Sequence, residues 1–223
     1  MTPVFNLPPG TKWLAALNLA AYALDSGLSA LLGVNLKLAL AFRPHDFLLY
    51  GFVPAEPEGL LTHLSFFAYM FLHADLVHLA MNVFLLLAFG AGVERRLGAW
   101  RTVALYLLAG LMAPVGSLLL HALQPGPAAI VGASGAISGL FGALLHFAFR
   151  PQGRPGEPRP RTSPAVGAAI AFVLVNLLFG VLGFDTFGEA RAVAWEAHLA
   201  GALAGWLTFP LLDRRPPPLA PFA

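Results

Sequence analysis

LVHLAMNVFLLLAFGAG, residues 76–92, contains no Asp, Glu, Lys or Arg. A run this long and this apolar approaches the ~20 residues that cross a bilayer as a helix. Its apolar residues are continuous rather than alternating, so a β-barrel strand does not fit. Two polar side chains stand inside it, His78 and Asn82. They are four residues apart and therefore share one face of a helix. Polar groups in lipid are costly, so a pair on one face calls for a task.

Outward from this stretch the pattern repeats. Apolar runs cover about Trp13–Val34, Thr102–Ala122, Ala133–Phe149, Ala165–Phe184 and Trp195–Leu212, making six candidate spans with Leu76–Gly92. Asp25 interrupts the first, and Pro114 in the third is tolerable in a membrane helix as a kink. Composition agrees: 58% of the 223 residues are hydrophobic and 11% charged, against a usual ~25%. The mean hydropathy is +0.74. So few charges cannot solvate a soluble globule of this size. The expected fold class is an all-α polytopic membrane protein, a six-helix bundle with the lipid bilayer as its solvent.

The spans set the organisation. Residues 1–12 form a short N-terminal segment and 13–212 the membrane core. Within that core, 35–75 is read as a long interfacial loop between the first two spans. Leu60–Leu72 inside it is an interfacial or re-entrant segment, ended by the polar break His73-Ala-Asp75. The Pro-rich stretch 150–164 is a polar linker, and 213–223 is a Pro-rich tail without order. One Lys precedes the first span and no small-residue cleavage site follows, so a cleavable signal peptide is not expected.

Lys and Arg give the orientation. With the N-terminus in the cytoplasm, the inner segments hold Lys12, Arg95, Arg96, Arg101, Arg150, Arg154, Arg159, Arg161, Arg214 and Arg215, and the outer ones only Lys37, Arg43 and Arg191. Ten against three places both termini inside. The second, fourth and sixth spans then all run inward from the outer face. His78, Ser134 and His198 each lie near the start of one of them, at similar depth in the outer half. The lack of an added domain or transit peptide favours a bacterial cytoplasmic membrane.

Small residues predict the packing. Ser134, Ser138 and Gly142 line one face of the fourth span, and Ala197, Gly201 and Gly205 one face of the sixth. Such faces allow close helix approach, which would bring Ser134 to His198. A serine beside a histidine base is a minimal nucleophilic pair. Ser134 opens a helix, where free N–H groups and the dipole favour an oxyanion. The His78 ring and the Asn82 amide could donate to the same oxygen. No carboxylate has a position to orient His198; Glu196 would point elsewhere on the helix.

Other classes fare worse. The chain has no cysteine, which excludes thiol nucleophiles, disulfides and Cys-type metal sites. A net charge of +2 without a basic, aromatic-studded patch argues against a nucleic-acid partner. His73, His78 and His198 could bind zinc in a transporter, but the spans offer few carboxylates to complete such a site. No metal or cofactor is expected. In the blander readings a membrane serine bonds its own backbone, and Asn176 makes an interhelical hydrogen bond. Glu94 and Arg96 are then a structural cap or ion pair.

Taken together, four elements resemble the rhomboid family of intramembrane serine proteases. Gly132-Ala133-Ser134-Gly135 is similar to its GxSG signature, and His78-Leu-Ala-Met-Asn82, preceded by Phe71-Leu72-His73, to its HxxxN element. Gly92-Val-Glu94-Arg-Arg96-Leu-Gly98 resembles the end of its second helix, and Ala197-His198-Leu-Ala-Gly201-Ala-Leu-Ala-Gly205 its last core helix. GxSG alone is weak; the four in order, over about Ala68 to Leu207, are specific. The resemblance implies an endopeptidase that cleaves single-span membrane proteins in or near their transmembrane segments. It implies Ser134 as nucleophile and His198 as general base. It further implies His78, Asn82 and the Ser134 N–H as oxyanion donors, with Gly132 allowing the tight loop. A catalytically inactive relative that binds membrane clients is the alternative, although such proteins usually lose the Ser or the His. Many relatives carry a Trp-Arg pair in the first long loop, and residues 35–75 contain none. Some have a Tyr stacked on the catalytic His one turn after the nucleophile; here Ser138 stands there, so the sequence names no support for the His198 ring.

Overall fold

The computed structural model describes residues 7–51, 57–123, 129–149, 164–182 and 194–213. The apolar runs become α1 (Pro9–Leu32), α5 (Leu76–Leu97), α6 (Ala99–Leu123), α7 (Ser134–Phe149), α8 (Pro164–Leu182) and α9 (Trp195–Leu212). Between α1 and α5 lie three shorter helices, α2 (Leu36–Leu40), α3 (Pro44–Tyr50) and α4 (Pro57–Ala68), and a 3₁₀ turn at Tyr69–Phe71. The long loop is thus largely helical. Most of the linker and all of the tail after Asp213 lie outside the described residues. Among the described residues there is no strand, only an isolated bridge between Phe42 and Ile130. Three helices, α1, α5 and α6, are long and apolar enough to cross a membrane; α7 is a shorter apolar helix. Trp100, Leu31 and Leu123 project almost fully outward, as lipid-facing side chains would.

Charges at the helix ends hold the frame. Glu94, on the last turn of α5, is buried and accepts from Gly10 N (2.8 Å), Thr11 N (2.6 Å) and Thr11 Oγ1 (2.7 Å). It thereby satisfies N–H groups that the first turn of α1 leaves without intrahelical acceptors, and its charge meets the positive end of that helix. Arg96, two residues on, grips Asp213 beyond α9 through two nitrogens (3.1 and 3.0 Å). Asp25 does not face lipid. It is buried in α1, accepts from Leu36 N (2.8 Å) and pairs with Lys37 Nζ (3.3 Å), fixing the start of α2.

α7 lies at the centre, packed by α5, α6 and α9. Its glycines let backbones meet. A Cβ on Gly201 would fall 2.9 Å from the Gly135 carbonyl carbon, one on Gly205 2.5 Å from that of Gly139, and one on Gly142 2.8 Å from that of Ala202. The α9 face is the expected one. On α7 the contact includes Gly142 of the expected face, but its other two members are Gly135 and Gly139, one position round from Ser134 and Ser138. The reason is steric: glycine backbone admits a neighbouring carbonyl where a serine Cβ would not. Ser134 is left at the rim of the contact, its side chain still directed to α9. α6 closes the other side, with Ala113 against Gly135 and Met70 against Gly110.

Candidate active site

The segment before α7 is held from two sides. Phe42 and Ile130 exchange both backbone hydrogen bonds (3.0 and 2.8 Å), so the long loop fastens the approach to Ser134. Gly132 N donates to the Tyr69 carbonyl (2.9 Å), while the Tyr69 hydroxyl donates to Gly110 O (2.6 Å). Tyr69 therefore ties this turn to α6, a role its sequence position does not suggest. Gly132 has φ +115°, a region that favours glycine, and a Cβ there would strike the His78 ring at 2.7 Å. Glycine is needed for both reasons: the backbone turns sharply and His78 lies directly on it.

Ser134 is the first residue of α7, in the turn whose N–H groups have no intrahelical acceptor. Its Oγ lies 2.7 Å from His198 Nε2 on α9. The other ring nitrogen, Nδ1, lies 2.6 Å from Asn176 Oδ1 on α8. Asn176 is buried, and its Nδ2 donates to the Phe172 carbonyl one turn earlier (2.8 Å). The support for the His198 ring is therefore an amide on a third helix. The only sequence signal for it was a polar residue in an otherwise apolar span.

His78 and Asn82 sit across from Ser134 beside Gly132. Asp75 caps α5 by accepting from His78 N (2.8 Å), which seats His78 in its first turn. The Ala74 N–H points at His78 Nδ1 (3.4 Å), so the ring proton belongs on Nε2, the atom facing Gly132. Asn82 Nδ2 gives one proton to the His78 carbonyl (2.8 Å) and retains a second. Ser134, His198, His78, Asn82 and Gly132 thus converge at one end of the bundle. His73 is fully buried with its ring 5.3 Å from that of His78, and neither of its nitrogens has a hydrogen-bond partner among the described residues. Burial, with His78 adding to it, pushes His73 down to about 4. Among the described residues no three His, Cys, Asp or Glu side chains are placed to hold a metal ion.

A bundle of long apolar helices, with Ser134 and His198 in contact between two of them, defines a class: polytopic membrane proteins. A sequence model of one such family, described as the Rhomboid domain, matches residues 61–215, and the chain belongs to that family. It is 34% identical over 138 residues to "Rhomboid protease GluP" of Bacillus subtilis (strain 168), covering 60% of this chain and 23% of that protein. Over 172 residues it is 32% identical to "Uncharacterized protein Rv1337" of Mycobacterium tuberculosis (strain ATCC 25618 / H37Rv), covering 73% and 63%. It is 36% identical over 145 residues to "RHOMBOID-like protein 4" of Arabidopsis thaliana, covering 64% and 32%. The chain thus spans less than two thirds of the length of each of these relatives.

Proposed function

We propose that this protein is an intramembrane serine endopeptidase that cleaves single-span membrane proteins in or near their transmembrane segments. The observation that carries this reading is the 2.7 Å approach of Ser134 Oγ to His198 Nε2 at the start of α7. The protease name of the Bacillus subtilis relative supports it.

In this reading Ser134 Oγ attacks the scissile carbonyl as its proton passes to His198 Nε2. The carbonyl oxygen becomes an oxyanion held by the Ser134 N–H, the His78 Nε2–H and the second Asn82 Nδ2 proton. Collapse expels the amine, which takes the proton from His198, and leaves an ester on Ser134. Water then gives a proton to His198 and attacks the ester, releasing the acid and restoring the serine. Glycines at 132, 135 and 139 contribute only shape: they set the turn and the helix spacing on which the 2.7 Å distance depends.

The wider arrangement follows the charges. α1 and α5 to α9 are the six spans, both termini are cytoplasmic, and the site lies in the outer half of a bacterial inner membrane. Water reaches it from the outer face, and the apolar lower part of the bundle closes it below.

A fluorophosphonate probe on the detergent-solubilised protein, with the adduct located by peptide mass spectrometry, tests the chemistry. The adduct should form on Ser134, vanish in Ser134→Ala and fade in His198→Ala. No adduct in folded protein would refute hydrolysis and favour a non-catalytic, client-binding relative. Cysteine introduced beside Ser134 should react with water-soluble reagents from the outer side; labelling only from the cytoplasm would overturn the orientation.

A further inference from the structure

We propose that Asn176 is a positioning residue for His198, so that the reacting pair is supported by a third, uncharged member from α8. The inference rests on the serine-protease reading above.

The tautomer requires it. To take the proton of Ser134 Oγ, His198 Nε2 must carry none, so the neutral ring must hold its proton on Nδ1. Asn176 Oδ1 is a pure acceptor, and it lies 2.6 Å from that nitrogen. The amide itself cannot turn round without loss. Its Nδ2 donates to the Phe172 carbonyl at 2.8 Å; reversed, it would set oxygen against oxygen there and N–H against N–H at the ring. Phe172 is in turn stacked on Phe141 of α7, with ring centroids 4.8 Å apart. One line of contacts therefore runs from α7 through Phe172 and Asn176 on α8 to His198 on α9 and back to Ser134 on α7.

The choice of an amide also has a reason. As the proton passes from Ser134 Oγ to Nε2, the ring becomes a cation that keeps its Nδ1 proton, and its bond to Asn176 becomes charge-assisted. Asn176 neither gains nor loses a proton. A carboxylate would hold the cation more strongly, but it would have to be buried as an ion at membrane depth whenever the ring is neutral. An amide fixes tautomer and ring angle without that penalty. It does here what Ser138, standing where some relatives have a stacking Tyr, is too small to do.

The test uses full-length protein in detergent, as wild type, Asn176→Leu and Asn176→Asp. Leucine keeps the volume and removes the acceptor; aspartate restores one. Asn176→Leu should slow fluorophosphonate labelling of Ser134 and lower kcat on a fluorogenic transmembrane peptide roughly 100-fold. KM and melting temperature should stay near wild type, and Asn176→Asp should recover most of the rate. A second readout does not depend on activity. In ¹⁵N-histidine NMR, assigned by the signal lost in His198→Ala, the His198 ring should be the Nδ1–H tautomer in wild type and shift toward Nε2–H in Asn176→Leu. An unchanged tautomer in Asn176→Leu, or equal loss in the leucine and aspartate variants with a lowered melting temperature, would overturn the positioning role. If wild type shows the Nδ1–H tautomer and its loss in Asn176→Leu but no adduct forms on Ser134, the protease reading fails and the positioning role stands.

Discussion

In Gly201→Ala the new methyl carbon would land 2.9 Å from the Gly135 carbonyl carbon and nearer still to its oxygen. A carbon resting against a carbonyl oxygen settles at about 3.3–3.6 Å, so α9 must retreat from α7 by on the order of 1 Å. That displacement falls on the Ser134–His198 pair almost undiminished. His198 is one turn before Gly201 on α9, and Ser134 is the neighbour of Gly135 on α7. The Oγ–Nε2 separation of 2.7 Å would open well beyond hydrogen-bonding range. A misplacement of about 1 Å can cost ~100-fold in rate. The assay is the second-order rate of fluorophosphonate labelling at Ser134, with a melting curve on the same sample. Gly27→Ala in α1 serves as control, because a Cβ there meets nothing within 4 Å; its labelling rate should be unchanged and its stability slightly raised, by about 0.5–1 kcal/mol. Labelling of Gly201→Ala within about tenfold of wild type (~1.4 kcal/mol), with an unchanged melting temperature, would refute the claim that glycine contact sets the pair's distance.

Glu94→Ala leaves Gly10 N, Thr11 N and Thr11 Oγ1 without their acceptor; it should cost about 3 kcal/mol and lower the melting temperature by roughly 10 °C, read by thermal unfolding in detergent. Asp25→Asn removes the charge facing Lys37, so limited proteolysis of the 33–51 segment should speed up while labelling of Ser134 stays close to wild type. His73 is held neutral in the fold, about 4 against an unfolded 6.5. Its contribution to stability is therefore complete above pH 6.5 and lost as pH falls toward 4, roughly 3 kcal/mol in all. Wild type should lose melting temperature over that window and His73→Phe should lose less; parallel curves would show that His73 does not carry the effect.

Much of this protein is written in local stretches of its chain. Hydropathy alone marks α6 and α9 closely, because a bilayer-spanning helix is one contiguous apolar window. The candidates Ser134, His78 and Asn82 are legible too, since a helix start and an i, i+4 pair are short-range features. The true ends of α1 and α5 were less so. The span ending at Gly92 continues to Leu97, because Glu94 is compensated by the first turn of a different helix and so can remain in α5. The span limits put Asp25 inside the first apolar run without a partner, and only the return of the chain at Leu36 and Lys37 supplies one.

The membrane as solvent, the order of the helices and the residue types available for chemistry are all properties of single windows or of total charge. Helix packing alone fixes which face of α7 meets α9. It takes Gly135 and Gly139 in place of Ser134 and Ser138 and keeps Gly142, because the fit of two backbones depends on both helices at once. Only it, too, brought Asn176 on α8 to within 2.6 Å of His198 Nδ1, twenty-two residues away and across a segment whose pattern says nothing of where α8 lands. Contacts between separate helices depend on mutual rotation and spacing, and no local periodicity carries those quantities.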